Sequence, residues 1–191
     1  KTLAVGEFLS ANESFLWLFD VATGSRTALT PKSGDVPVAY GNALFSKDGK
    51  GLYATTDKDS EFQRLIYIDV ATKAQTVLTS SINWDVEEFD LSEDGRTLAF
   101  TTNEDGVSVL HMMDTKTRKE LPVPQIPKGV ISGIVWHKDS VTLGFVLSSA
   151  RSPSDVYSID AKRKTLTRWT ESETGGLNTA AFSDPDLVRW K

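Results

Sequence analysis

The side chains in this sequence able to do acid–base or nucleophilic chemistry are few. There is no cysteine, so thiol nucleophiles, disulfides and zinc–thiolate sites are excluded. There are two histidines, His111 and His137. Acyl transfer by a serine needs a base within hydrogen-bond reach and donors for the oxyanion. Such a serine usually stands in Gly-x-Ser-x-Gly on a strand-to-helix elbow, and the chain contains no such motif. No histidines stand at metal-ligand spacing, and no Gly-rich phosphate loop is present. Asp57-Lys58-Asp59 echoes the start of a calcium loop but reads as a solvated loop. Asn12-Glu13-Ser14 fits a glycosylation acceptor, a triplet common by chance. Glu87 and Glu88 stand side by side on a strand expected over Val86 to Leu91. Neighbouring side chains on a strand face opposite ways, so at most one of the two can project into any one cavity. We read the pair as a polar channel lining, and we expect no catalytic residue, no metal ligand and no cofactor site.

What must position these residues is a repeat. Phe45-Ser46-Lys47-Asp48-Gly49, Leu91-Ser92-Glu93-Asp94-Gly95, Trp136-His137-Lys138-Asp139-Ser140 and Phe182-Ser183-Asp184-Pro185 are copies of one pattern. Their apolar positions step by 46, 45 and 46 residues. A second marker runs in phase, opening at Asp20, Asp69, Asp114 and Asp160. The repeat accounts for both histidines. His111 precedes Asp114 by the offset that Trp17, Ile66 and Tyr157 hold before their aspartates, a packed strand position. His137 occupies the turn position of Ser46, Ser92 and Ser183.

A period of 40–50 residues made of short strands is the pattern of propeller blades. In the second unit, strands are expected over Ala43–Phe45, Gly51–Thr56, Arg64–Asp69 and Gln75–Thr79, joined by Asp- and Gly-bearing turns. Apolar runs such as Leu65-Ile66-Tyr67-Ile68 suit sheets covered on both faces. No segment carries a sustained helical period, and little or no helix is expected. The fold class is therefore all-β: a β-propeller fragment of about four blades, four-stranded and antiparallel. The blades are expected over 1–30 (partial), 42–79, 88–122 and 133–170, with an opening strand in 178–191. Pro122, Pro124 and Pro127 mark one connector as loop. Phe45, Leu91, Trp136 and Phe182 are expected to be buried between blades. Lys1-Thr2-Leu3-Ala4 overlays Arg96-Thr97-Leu98-Ala99, so the first unit begins at its second strand and the chain reads as a piece of something longer. An arc of blades with open edges would self-associate, since bare blade faces exceed the apolar surface a monomer tolerates.

The net charge of −5 and a pI near 5.1 argue against nucleic acid or an anionic membrane as partner. No apolar run reaches the ~18 residues of a membrane span.

Phe45 to Lys50 and Leu91 to Leu98 resemble the propeller repeat shared by TolB-like proteins and the prolyl oligopeptidase family. The strand ends Phe19 to Gly24 and Ile68 to Lys73 are also similar to that repeat. WD repeats fit less well, because Trp84-Asp85 lies in a connector. Phe182 to Lys191 resembles the stretch where bacterial prolyl-oligopeptidase-like enzymes pass into their α/β-hydrolase domain. The resemblance implies a non-catalytic propeller that gates access to a serine peptidase site. It implies the chain's own C-terminal α/β-hydrolase domain and a peptide substrate as partners. None of that family's catalytic residues maps onto this chain. In some such propellers an adjacent Glu pair binds the substrate's α-ammonium, the second meaning open to Glu87 and Glu88. The alternative is a TolB-like protein-binding propeller with no enzymatic activity. The compartment stays open, with a lean to the bacterial periplasm or exterior. Ser140, in place of the turn Gly, and Pro185, in place of the turn Asp, depart from the pattern.

Overall fold

The computed structural model describes residues 1–32 and 34–190. Fifteen strands run in chain order: β1 (Thr2–Ser10), β2 (Glu13–Asp20), β3 (Arg26–Ala28), β4 (Tyr40–Phe45), β5 (Gly51–Thr56), β6 (Arg64–Asp69), β7 (Gln75–Val77), β8 (Val86–Leu91), β9 (Thr97–Glu104), β10 (Val107–Asp114), β11 (Glu120–Leu121), β12 (Val130–Trp136), β13 (Thr142–Ser149), β14 (Ser152–Asp160) and β15 (Thr165–Arg168). They form one three-stranded sheet, β1-β2-β3, and three four-stranded sheets, each an antiparallel meander in sequence order. No α-helix occurs among the described residues; the single helical element is the 3-10 turn Thr179–Ala181. The chain divides into two compact units, Lys1–Val86 and Glu87–Lys191.

The two sequence markers form the turns. After β4, Ser46 Oγ donates to Asp48 Oδ1 (2.6 Å) and accepts from Gly51 N (3.0 Å), while Asp48 Oδ1 accepts from Lys50 N (3.1 Å). Ser92 and Asp94 repeat these bonds after β8. The turn closes through a left-handed residue, Gly49 (φ 69°) or Gly95 (φ 71°), where a side chain would be strained. After β12 the same place is held by Ser140 at φ 58°, and its hydroxyl accepts the Asp94 N–H at 2.9 Å. The departure from Gly thus ties one turn to its neighbour. His137 stands where the serines do, and Asp139 takes over their work, accepting from Val141 N, Thr142 N and Thr142 Oγ1, each at 2.8 Å. The second marker is an Asp turn between the third and fourth strands. Asp20, Asp69 and Asp114 accept from the backbone and hydroxyl of Thr23, Thr72 and Thr117. One further regularity went unread in the sequence. Thr30, Thr79 and Thr170 each accept, through Oγ1, a third-strand N–H 14 residues earlier, from Leu16, Leu65 and Val156.

The core lies between neighbouring sheets, as a repeat too thin to cover itself requires. In the first unit, Leu16, Leu18 and Leu29 pack with Leu52, Ala54, Ile66 and Ile68. In the second, Ala99, Leu110 and Met112 pack with Ile131, Trp136, Leu143, Phe145 and Ile159. The second strand of a complete sheet is the most enclosed, and every residue of β5 is buried. Leu91 and Trp136 are buried as expected. Phe45 is only half-buried, packed at the margin of the first core. Phe182 is also half-buried, and the strand expected from residue 178 is absent. Gly175 and Gly176, both at positive φ, turn the chain there, and Asn178 caps the 3-10 turn with its side chain. This segment pairs with no sheet edge among the described residues, and extended backbone without a partner gains no ladder bonds.

Candidate functional site

His111, on β10, is buried and its ring stacks on Phe100 at 4.7 Å between centroids. Its Nε2 lies 3.0 Å from Thr102 Oγ1, on β9, and its Nδ1 lies 2.8 Å from Glu120 Oε1, on β11. Hydroxyl, imidazole and carboxylate therefore stand in the order of a nucleophile, its base and an orienting acid. Chemistry is blocked by burial: Thr102 has 0% exposure, so no carbonyl can approach its oxygen. The same hydroxyl donates to Glu104 Oε1 at 3.1 Å. The trio works as a bridge across three strands and fastens the two-residue β11 to its sheet. His137 is exposed beside Asp139 (3.2 Å) in a turn. Neither imidazole ring has a serine hydroxyl as a bonded partner among the described residues.

Glu87 and Glu88 lie on β8, the first strand of the sheet β8 to β11. They diverge as strand alternation demands. Glu87 is exposed and accepts a bond from Asn103 Nδ2 at 3.0 Å. Glu88 is half-buried, and its Oε2 accepts the backbone N–H of Ile134 at 3.1 Å. Two residues on, Asp90 Oδ2 accepts the N–H of Trp136 at 2.7 Å, and the Trp136 indole N–H reaches Asp90 O at 3.2 Å. Glu88 and Asp90 thus fix the first strand of one sheet to the first strand of the next. Their carboxylates satisfy β12 amides that no sheet partner takes. Asp57, from the weak calcium echo, accepts the Ala39 N–H at 2.8 Å, and no cluster able to hold a metal ion occurs among the described residues.

Sequence reasoning missed Asp155. It lies on the core-facing side of β14 with Tyr157 and Ile159, its side chain fully enclosed. It accepts from Thr170 Oγ1 (2.7 Å), Ser172 N (2.9 Å), Ser152 Oγ (3.1 Å) and Ser172 Oγ (3.1 Å), and pairs with Arg168. The Thr170 hydroxyl, and after it Arg168, hold this carboxyl well below the ordinary carboxylate range, against the opposing effect of burial. Arg168 is pushed further up by the same carboxylate. The available signal was one acid in the period-2 run of core positions 155, 157 and 159.

Sheets of one four-strand meander, repeated in phase with their cores between neighbours, are the blades of a β-propeller, here about four of them. A family model for the prolyl oligopeptidase N-terminal β-propeller domain matches residues 1–172, and the chain belongs to that family. Among solved structures, a prolyl endopeptidase studied for inter-domain dynamics in catalysis and specificity superposes with a TM-score of 0.77 at 17% identity. It is matched over 94% of this chain and 26% of its own. A puromycin-hydrolyzing peptidase of Mycobacterium tuberculosis gives 0.78 at 14% identity, over 97% of this chain and 29% of its own. TolB from Acinetobacter baumannii gives 0.70 at 20% identity, over 91% of this chain and 42% of its own. These likenesses concern the fold. The chain spans about a quarter of the length of the two peptidases and under half that of TolB. No curated protein matches it in sequence. No helix among the described residues is long and apolar enough to cross a membrane.

Proposed function

We propose that this chain is the non-catalytic propeller region of a prolyl-oligopeptidase-type serine peptidase, narrowing substrate access and contacting an α/β-hydrolase domain that carries the reacting groups. The observation that carries the proposal is the family match over residues 1–172. In this assignment the propeller supplies walls and contacts. Its histidines are committed to a buried bridge and a turn, and the substrate is a peptide small enough to pass the propeller. Of the acidic pair, Glu87 is assigned as the channel-lining member, because it is exposed whereas Glu88 is half-buried and bound to Ile134 N. The first sheet supports self-association through an open edge: β1 ends its sheet and leaves Leu3, Phe8 and Leu9 more than half exposed.

The test is the reading frame beyond Lys191 and the substrate range of the protein it encodes. We expect a hydrolase domain with a Gly-x-Ser-x-Gly elbow, and cleavage of short peptides but not of folded proteins. A stop codon directly after Lys191 would contradict the proposal. It would favour the second assignment, a TolB-like binding propeller, which rests on the TolB likeness.

A further inference from the structure

Asp155 does more than anchor a strand. Its enclosed carboxylate grips the guanidinium of Arg168, whose side chain is 39% exposed. A guanidinium has five N–H donors in a rigid fork. Arg168 Nε donates to Thr170 O at 2.9 Å, and Nη2 donates to Asp155 and to Ser152 Oγ at 3.3 Å. Those bonds fix the plane and leave the two N–H groups of Nη1 without a partner among the described residues. Arg151 is prepared in a similar way. Its Nε donates to Asp184 Oδ1 at 2.7 Å, while its Nη groups make no bond among the described residues. Both arginines line one cleft of about 830 Å³ in the second unit, with Lys128 on its wall.

Within this one cleft Arg151 keeps its Nη1/Nη2 pair for a carboxylate, which accepts paired N–H bonds in a plane, and Arg168 can add single N–H bonds from Nη1. The charges in the wall decide which anion fits. Lys128, Arg151 and Arg168 are opposed by Glu171 and Asp184, a surplus of one positive charge, and Asp155 behind Arg168 offsets part of that. A phosphate, carrying about 1.5 to 2 negative charges at neutral pH, would exceed that surplus. A single carboxylate would not. The attraction is directional and short-ranged, made by hydrogen bonds and not by a strong field.

We propose that this cleft binds a carboxylate monoanion, such as the C-terminal carboxylate of a short peptide. The assignment does not depend on the peptidase function proposed above, because binding can be measured on the 191-residue chain itself.

The experiment is calorimetric titration of that chain with acetyl-trialanine as the free acid, the same peptide as its C-terminal amide, acetate, and inorganic phosphate. The free acid is expected to bind in the millimolar range or tighter, and the amide not to bind measurably. Acetate competing with the free acid would point to the carboxylate group alone, whereas peptide binding unaffected by acetate would point to a peptide end; both support the site. Arg151→Gln, which leaves Asp155 and its partners in place, should weaken the free acid by about tenfold or more, the value of a charge-assisted bond. Arg168→Gln should abolish binding, but it also strips a buried acid of its partner, so Arg151→Gln is the deciding variant. Equal binding of acid and amide, phosphate binding tighter than the free acid, no binding of any probe, or unchanged affinity in Arg151→Gln would each overturn the proposal.

Discussion

At the scale of the residue, the propeller is held by short polar side chains that complete backbone bonds. The turn aspartates show this most clearly. Asp48 and Asp94 are held below the ordinary carboxylate range chiefly by the Ser46 and Ser92 hydroxyls. In Asp20, Asp69 and Asp114 the backbone N–H of the Thr three residues on acts first, and in Asp139 the Thr142 N–H does. A carboxyl with a depressed folded-state pKa stabilises the fold above its unfolded value and loses that contribution as pH falls through the folded value. Stability should therefore be flat near neutrality and fall once pH drops below about 3.8, the ordinary value for these groups. Denaturant midpoints measured from pH 7 to pH 2 would check it, and a midpoint that rises on acidification would contradict it. The left-handed turn position is a second case. A side chain at Gly49 would meet nothing within 4 Å, so the cost of Gly49→Ala is conformational, about 1 kcal/mol. Ser140→Ala, which removes the Asp94 N–H contact at an exposed site, should cost less than about 1 kcal/mol.

At the scale of the element, strands whose side chains pack on both faces were legible in advance. Gly51–Thr56, Arg64–Asp69 and Val86–Leu91 have the bounds that the apolar runs indicated. Their limits are fixed by local chemistry, with an Asp or Gly turn at one end. Connectors were less legible where a strand begins before its apolar run: β4 opens at Tyr40 and β12 at Val130, ahead of the blade starts expected at 42 and 133. The segment after Asn178 carries the pattern of an opening strand, yet a strand also needs a neighbour, and sequence pattern does not supply one. The contacts around Glu88, Asp90 and Asp155 were illegible for the same reason. Each joins residues from different strands or sheets, and a repeat period cannot register them. Burial magnitudes follow from these contacts. Trp136 is enclosed and donates its indole N–H to Asp90 O, so Trp136→Ala should cost about 3–5 kcal/mol. Phe45 is half-buried, and Phe45→Ala should cost less. Asp90→Ala leaves the Trp136 N–H unpaired between sheets and should cost about 1–3 kcal/mol. Equilibrium denaturation of the three variants checks the order, and a Phe45 cost equal to that of Trp136 would show that the two repeat positions are equivalent after all.

At the scale of the whole molecule, both histidines are absorbed into the blades. The hydroxyl–imidazole–carboxylate line of Thr102, His111 and Glu120 has the connectivity of a hydrolytic site and none of the access, which is what a strand bridge requires. The proposed assignment, in which acyl transfer belongs to another domain, accounts for this arrangement in a propeller of the prolyl oligopeptidase family. The most direct measurement is reaction of the 191-residue chain with a fluorophosphonate probe, read by intact mass. The account expects no adduct and no hydrolysis of peptide or ester substrates. Stoichiometric labelling of one residue, abolished by His111→Ala or His137→Ala, would contradict it.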